Sequence, residues 1–300
     1  MIARRPAASR VAALVALALL AGCAAVRPGG TGLGSRTLDE ATPQALGRVI
    51  DARREALRGL SGTGKLQVSV DEWRNGETVR DRLRASQAIV VERPASFRLE
   101  ALSPFGVTYA VASDGAQLAI LIPGERTVYR GAASVPTLGM ATGVAASSAE
   151  VAEVLLGLPP VPELSLRNAW VSRGREAGLA TGDVPGEIEP TVLLHAYSND
   201  APGDTFVVGF APLPGADAVA AVFFERISAG GEKVLEARFG NFRTISGVPF
   251  ASAVTVRTPK AEAILQYADV TLNPPADRSR FELPTPAGMR EAPLLPPADG

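Results

Sequence analysis

From Lys65 to Ile122 apolar and polar residues alternate with a period of two, interrupted by turn residues, which is the pattern of short strands with one buried face. The series opens with KLQVSV (65–70) and passes a polar turn, DEWRNGE, into a long predicted strand from Thr78 to Val91 that Pro94 ends. SFRLEAL then places Phe97, Leu99 and Ala101 on one face, GVTYAVA places Val107, Tyr109 and Val111 on one face, and QLAILI adds Leu118, Ile120 and Ile122. The connections SDG and PGE are tight, so the strands form an antiparallel meander, because parallel neighbours need long crossovers. After a loop-rich stretch the pattern resumes in TVLLHAYS, DTFVVGFAP, AVAAVFFERIS, KVLEARFGNFRTI, FASAVTVRTP and AEAILQYADVTL.

Two segments have helical spacing instead. Thr42-Pro43 supplies an N-cap and a first-turn proline, Leu46, Val49, Ile50, Leu57 and Leu60 follow on one stripe, and Gly59 marks the predicted end. A second helix is predicted over 149–156, with Ser147 and Glu150 as a capping-box pair, Gly157 as the stop and Pro159-Pro160 beyond it. Its apolar face carries Val151, Val154 and Leu155. The tail from Leu283 is rich in Pro, Ala and Gly and is expected to lack regular structure.

The first residues stand apart. Arg4, Arg5 and Arg10 precede an apolar run from Val11 to Leu20, the pattern of an export signal, and that run is shorter than the ~20 residues a spanning helix needs. The run ends in Leu20-Ala21-Gly22-Cys23, which resembles the lipobox of bacterial lipoproteins, whose cysteine is acylated and becomes the new N-terminus. The alternative is an ordinary secretory signal with an incidental cysteine. Cys23 is the only cysteine and has no internal disulfide partner, and lipidation removes the liability of a free thiol in an oxidising compartment. The resemblance implies palmitate-type acylation, and Ala24 after the cysteine implies the outer membrane. The organisation read from the sequence is a signal peptide over 1–22, a flexible tether over 23–41, a folded domain over 42–282 and a Pro-rich tail over 283–300.

Charge narrows the function further. Of 30 basic residues, Arg4, Arg5 and Arg10 leave with the signal, so 27 remain against 31 acidic ones, a formal −4. That balance, without basic runs interleaved with aromatics, argues against nucleic acid as a partner. Catalytic groups are sparse. His195 is the only histidine and sits in a predicted strand, so it reads as structural; Glu187 and Glu189 read as solvated charge. Gly29-Gly30 and Gly230-Gly231 lack the lysine and strand-to-helix context of a phosphate loop. No catalytic residue, metal ligand or cofactor is assigned, and the chain is not expected to be an enzyme.

One turn does not fit its surroundings. Ser103-Pro104-Phe105-Gly106 follows type I turn preferences, yet its third position holds a phenylalanine where no apolar side chain is required. LEALSPFGVTYAVASDG (99–115), together with VLLGLPP (154–160) and the order of LRGLSGTGKLQVSV after the first helix, resembles the LolB-like outer-membrane lipoprotein receptors of the LolA/LolB superfamily. The likeness spans about residues 45–162. It implies an α+β, mainly β fold: an incomplete, curved antiparallel β-barrel with helices packed in its mouth around an apolar cavity. By resemblance the chain would take acylated client lipoproteins from a periplasmic LolA-like carrier and insert them into the outer-membrane lipid. Ser103, Pro104, Phe105 and Gly106 would form the membrane-insertion loop, with Phe105 where the family has leucine. Candidates for the acyl-chain cavity are Phe97, Leu99, Val107, Tyr109, Leu118, Ile120 and Ile122. The alternative is an envelope lipoprotein of the same fold that binds another lipid or scaffolds an envelope assembly.

Overall fold

The structure, a computed structural model, describes residues 38, 40–74, 77–162, 164–174, 186–198 and 203–295. The signal peptide, the lipobox residues Leu20, Ala21 and Gly22, the acceptor Cys23 and nearly all of the tether lie outside these residues.

The first helix, α1 (Pro43–Ala56), starts as its sequence dictates, with Thr42 Oγ1 accepting from the Ala45 amide at 3.2 Å. It stops at Ala56, earlier than expected, and Leu60 belongs to β1 (Gly59–Arg74). Asn273 enforces the change: its amide Nδ2 donates to the Ala56 carbonyl and its Oδ1 accepts from the Arg58 and Gly59 amides. The meander continues as β2 (Glu77–Glu92), β3 (Ser96–Ser103), β4 (Gly106–Ser113), β5 (Gln117–Ile122) and β6 (Thr127–Ala132). Two helices follow, α2 (Val135–Thr142) and α3 (Ser148–Leu155). In α3 the Glu150 amide donates to Ser147 Oγ at 3.2 Å, and the Ser147 amide donates to Glu150 Oε2 at 2.7 Å. Ser147→Ala is expected to cost about 1 kcal/mol, a fall of about 2–4 °C in thermal melting.

The second half comprises β7 (Leu164–Arg173), β8 (Val192–Ser198), β9 (Thr205–Pro212), β10 (Val219–Ile227), β11 (Lys233–Ile245), β12 (Val248–Arg257), β13 (Ala261–Leu272) and β14 (Arg290–Pro293). The described strands make one sheet in the order β14-β6-β5-β4-β3-β2-β1-β13-β12-β11-β10-β9-β8-β7. The fold is therefore mainly β with helices, one curved sheet that does not close, as the resemblance implied, and its consecutive strands pair antiparallel as the period-two pattern and tight turns predicted. The two halves join where β13 pairs with β1, and the register shifts between Gly62 and Gly64. A Cβ at Gly62 would lie 2.2 Å from the Asp269 carbonyl oxygen, so this strand crossing requires glycine.

One core fills the concave side. It takes Leu46, Val49 and Ile50 from α1, Leu138 from α2, Val154 and Leu155 from α3, and inward residues of both half-sheets, including Phe97, Phe206, Phe224, Phe239 and Phe250. The convex side has two further clusters. Ala110, Ala112, Ala119, Leu121 and Val128 are covered by Leu283 and Met289 of the tail, and Leu193, Val207 and Phe223 are covered by Ile188. Burial on both faces explains why β8 to β10 read as nearly continuous apolar runs instead of alternating ones.

The tail corrects the sequence expectation. Instead of lacking structure from Leu283, its described part is held against the sheet by arginines that donate to its backbone, Arg130 to Leu283 at 2.6 Å and Arg126 to Gly288 at 3.0 Å, and Arg98 donates to the Glu282 carbonyl just before it at 2.8 Å. β14 then pairs in parallel with β6. The ordered fold thus extends past residue 282.

Candidate functional site

Phe105 is fully exposed at the tip of the β3–β4 hairpin. The loop that carries it is organised by Ser103, whose Oγ accepts from the Phe105 amide at 3.2 Å and donates to the Gly106 carbonyl at 3.0 Å. Gly106 takes φ +116°, a value that favours glycine. The backbone is thus held while the phenyl ring gains nothing from the fold. Met140, on α2, is a second exposed apolar side chain, and α2 is tied to β4 by Tyr109, whose hydroxyl donates to the Ala141 carbonyl at 2.6 Å. Burial pushes that phenol up to about 12.

The candidate cavity residues separate. Phe97, Leu118 and Ile120 are buried in the concave core, and Leu99, Tyr109 and Ile122 pack against it half-buried. Val107 is on the opposite face, against the convex cluster under the tail. Strict alternation would put it beside Tyr109, but the β3–β4 register shifts between Ala101 and Leu102, so that Ala101 faces Tyr109 while Leu102 faces Val107. Such a bulge reverses every side chain beyond it.

A cavity of about 680 Å³ lies beneath the tail beside Ala112, Ala119, Arg130 and Leu283; one of about 640 Å³ adjoins Arg58, Arg93, Pro94 and Asn273. A third, about 270 Å³, lies beside α3 among Ser147, Glu150, Pro160, Phe206 and Arg226. Of the seven candidates only Leu118 lines any of the three. The helices pack against the concave side, where Phe97, Leu118 and Ile120 share one buried cluster with Leu46, Leu138 and Leu155.

What holds the helices there is partly polar. Glu153 of α3 accepts from Arg54 of α1 at 2.7 Å and from Arg93, in the β2–β3 turn, at 3.3 Å. Arg54 also donates to the Val161 carbonyl, and Arg93 donates to the Arg54 carbonyl at 3.1 Å. The Nε atoms of Arg54 and Arg93 are buried without partners. Burial pushes the Glu153 carboxyl above the ordinary carboxylate range, and the two arginines offset only part of that rise. The seam between helices and sheet is therefore an incompletely satisfied ion cluster, which sequence reading missed because its members are 39 to 99 positions apart.

Elsewhere charge serves the sheet. On β11, Glu236 accepts from Arg238 at 2.7 Å, Arg257 at 3.1 Å and Lys233 at 3.2 Å, and Arg238 also pairs with Glu187, which is thus not simply solvated. His195 is half-buried, its Nε2 2.8 Å from Ser172 Oγ and its ring stacked on Trp170 at 4.7 Å. Burial lowers its pKa, and no carboxylate is recorded on the ring among the described residues. No helix among the described residues is long and apolar enough to cross a membrane.

No protein-family model and no curated protein matches the chain. Among solved structures it is similar to a LolA superfamily protein from Nitrosomonas europaea, with 11% identity, 81% of this chain and 98% of that chain covered, and a TM-score of 0.45. A DUF1329 family protein from Desulfovibrio piger gives 11%, 81%, 98% and 0.43. A domain from Vibrio parahaemolyticus named for outer-membrane lipoprotein sorting gives 10%, 84%, 97% and 0.41. The functional reading therefore rests on the residues themselves.

Proposed function

We propose that this chain is a lipid-anchored envelope protein that takes up the acyl chains of client lipoproteins from a soluble periplasmic LolA-like carrier and releases them into the outer membrane. Cys23 carries the anchor, and the folded body faces the periplasm. There is no covalent chemistry in the transfer: acyl chains move between apolar environments in the direction set by relative affinity. Acyl chains occupy the concave side after α1 and α3 give way at the Arg54–Glu153–Arg93 cluster.

The observation that carries the reading is the fully exposed Phe105 on a backbone-locked hairpin tip. Burying a side chain of that size in a bilayer interface is favourable by ~2 kcal/mol. The packed concave core favours a second reading, an envelope lipoprotein that scaffolds partners and carries no lipid.

The test uses the whole chain with Cys23→Ala, mixed with a carrier loaded with a fluorescently labelled lipoprotein. Movement of the label onto this protein is the expected result. A folded protein that takes no label rejects the receptor reading, and absence of any co-extracted lipid in addition favours the scaffold.

A further inference from the structure

Arg53 breaks the rule that the rest of its helix face obeys. Leu46, Val49 and Ile50 form the buried stripe of α1, and the next residue on that stripe is Arg53, itself only 7% exposed. Its Nη2 is buried without a hydrogen-bond partner, and its guanidinium carbon sits 5.9 Å from the centroid of the Phe242 ring. Arg54, one residue on, has Glu153; for Arg53 no ion pair with a carboxylate is recorded among the described residues. Burial alone lowers its pKa to about 10, so the group stays charged at neutral pH.

An unpaired buried cation opposes folding, and a place in the last helical turn recovers only a small part of the cost through the helix dipole. A methionine or leucine would fill the position at no such penalty. The arrangement has the polarity of an amphiphile: an apolar strip about 10 Å long from Leu46 to Arg53, closed at one end by a forked cation. Guanidinium forks match carboxylate and phosphate oxygens in two parallel hydrogen bonds.

We propose that Arg53 recognises the anionic head of an acylated amphiphile, pairing with a carboxylate or phosphate while the chain lies along the α1 stripe. This rests on the reading that acyl chains occupy the concave side, and it adds that the protein distinguishes lipids by charge.

The test compares the whole chain carrying Cys23→Ala with the same chain carrying also Arg53→Met or Arg53→Lys. The probes are cis-parinaric acid and its methyl ester, followed by fluorescence at neutral pH, with lysophosphatidic acid and lysophosphatidylcholine as competitors. The parent is expected to bind the acid about tenfold more tightly than the ester, a ratio that falls to about one in Arg53→Met and is partly kept in Arg53→Lys. Displacement by lysophosphatidic acid at lower concentration than parinaric acid itself needs identifies phosphate as the preferred head; the reverse order identifies carboxylate. Without ligand, Arg53→Met is expected to melt about 3 °C or more above the parent, because an unpaired buried charge is gone. Equal binding of acid and ester by the parent overturns the inference and leaves the lipid-binding reading intact. Binding of neither probe overturns both. A lower melting temperature for Arg53→Met shows a structural arginine and overturns the inference as well.

Discussion

Glu153→Ala is expected to lower the melting temperature by about 4–10 °C, read by circular dichroism or calorimetry. Among the described residues Glu153 is the only carboxylate that pairs with Arg54 and with Arg93, and its loss leaves two largely buried guanidiniums without a counter-charge there. Breaking a fully buried pair costs about 3–5 kcal/mol. Arg54 and Arg93 retain 17% and 27% side-chain exposure, so water recovers part of this, and about 2–3 kcal/mol is expected. For a fold of this size each kcal/mol moves the midpoint by about 2–4 °C. A change within about 1 °C would show that the cluster does not hold α1 and α3 against the sheet.

The same carboxyl sets a pH dependence. Burial holds Glu153 above its unfolded value, so its contribution is fully present below the ordinary glutamate range and is lost as pH rises through the folded pKa. The stability of the natural chain relative to Glu153→Gln is therefore expected to be greater at pH 4 than at pH 7. Glu236 behaves in the opposite sense: burial pushes it up, but Arg238 and Lys233 outweigh that and hold it below the usual range. The Glu236 cluster on β11 is thus stabilised as a set of charges at neutral pH, whereas the helix seam is under-compensated there.

Much of this framework was legible in local sequence. The α1 and α3 caps, the strands from Phe97 to Ile122 and the exposed tip follow from turn and capping preferences that act over a few residues. What escaped depended on contacts between distant parts. Val107 changed faces because of a bulge that alternation cannot reveal, and α2 was missed because its box pairs Ser134 with Thr137 where the common pattern has glutamate or glutamine. The tail reads as a linker by composition, yet Leu283 and Met289 find an apolar patch that exists only once β4 to β6 are side by side. Arg53 and Arg54 look alike in sequence, and only packing separates a paired cation from an unpaired one. Apolar alternation likewise marks which residues are buried without saying whether a helix or a ligand buries them.

Phe105→Glu is expected to slow delivery of a labelled acylated peptide from this protein to phospholipid vesicles by about 30-fold, with loading from the carrier unchanged. The figure is the ~2 kcal/mol of interfacial burial lost with the phenyl ring, expressed as a rate ratio. Folding is not at stake, because the ring is fully exposed and the Ser103 bonds that shape the loop use only the backbone of residues 105 and 106. Unchanged melting of the variant checks that premise. Phe105→Leu keeps an apolar side chain in the same place and is expected to deliver within about threefold of the natural chain. Slow delivery by both variants would mean that the aromatic ring itself is recognised, and normal delivery by Phe105→Glu would remove the tip from the mechanism. Slow delivery by glutamate alone has one physical reading: the transfer step requires the hairpin to enter the apolar edge of the bilayer. In that case the backbone rigidity supplied by Ser103 and Gly106 acquires a purpose, since a tip already held extended loses little conformational freedom on insertion.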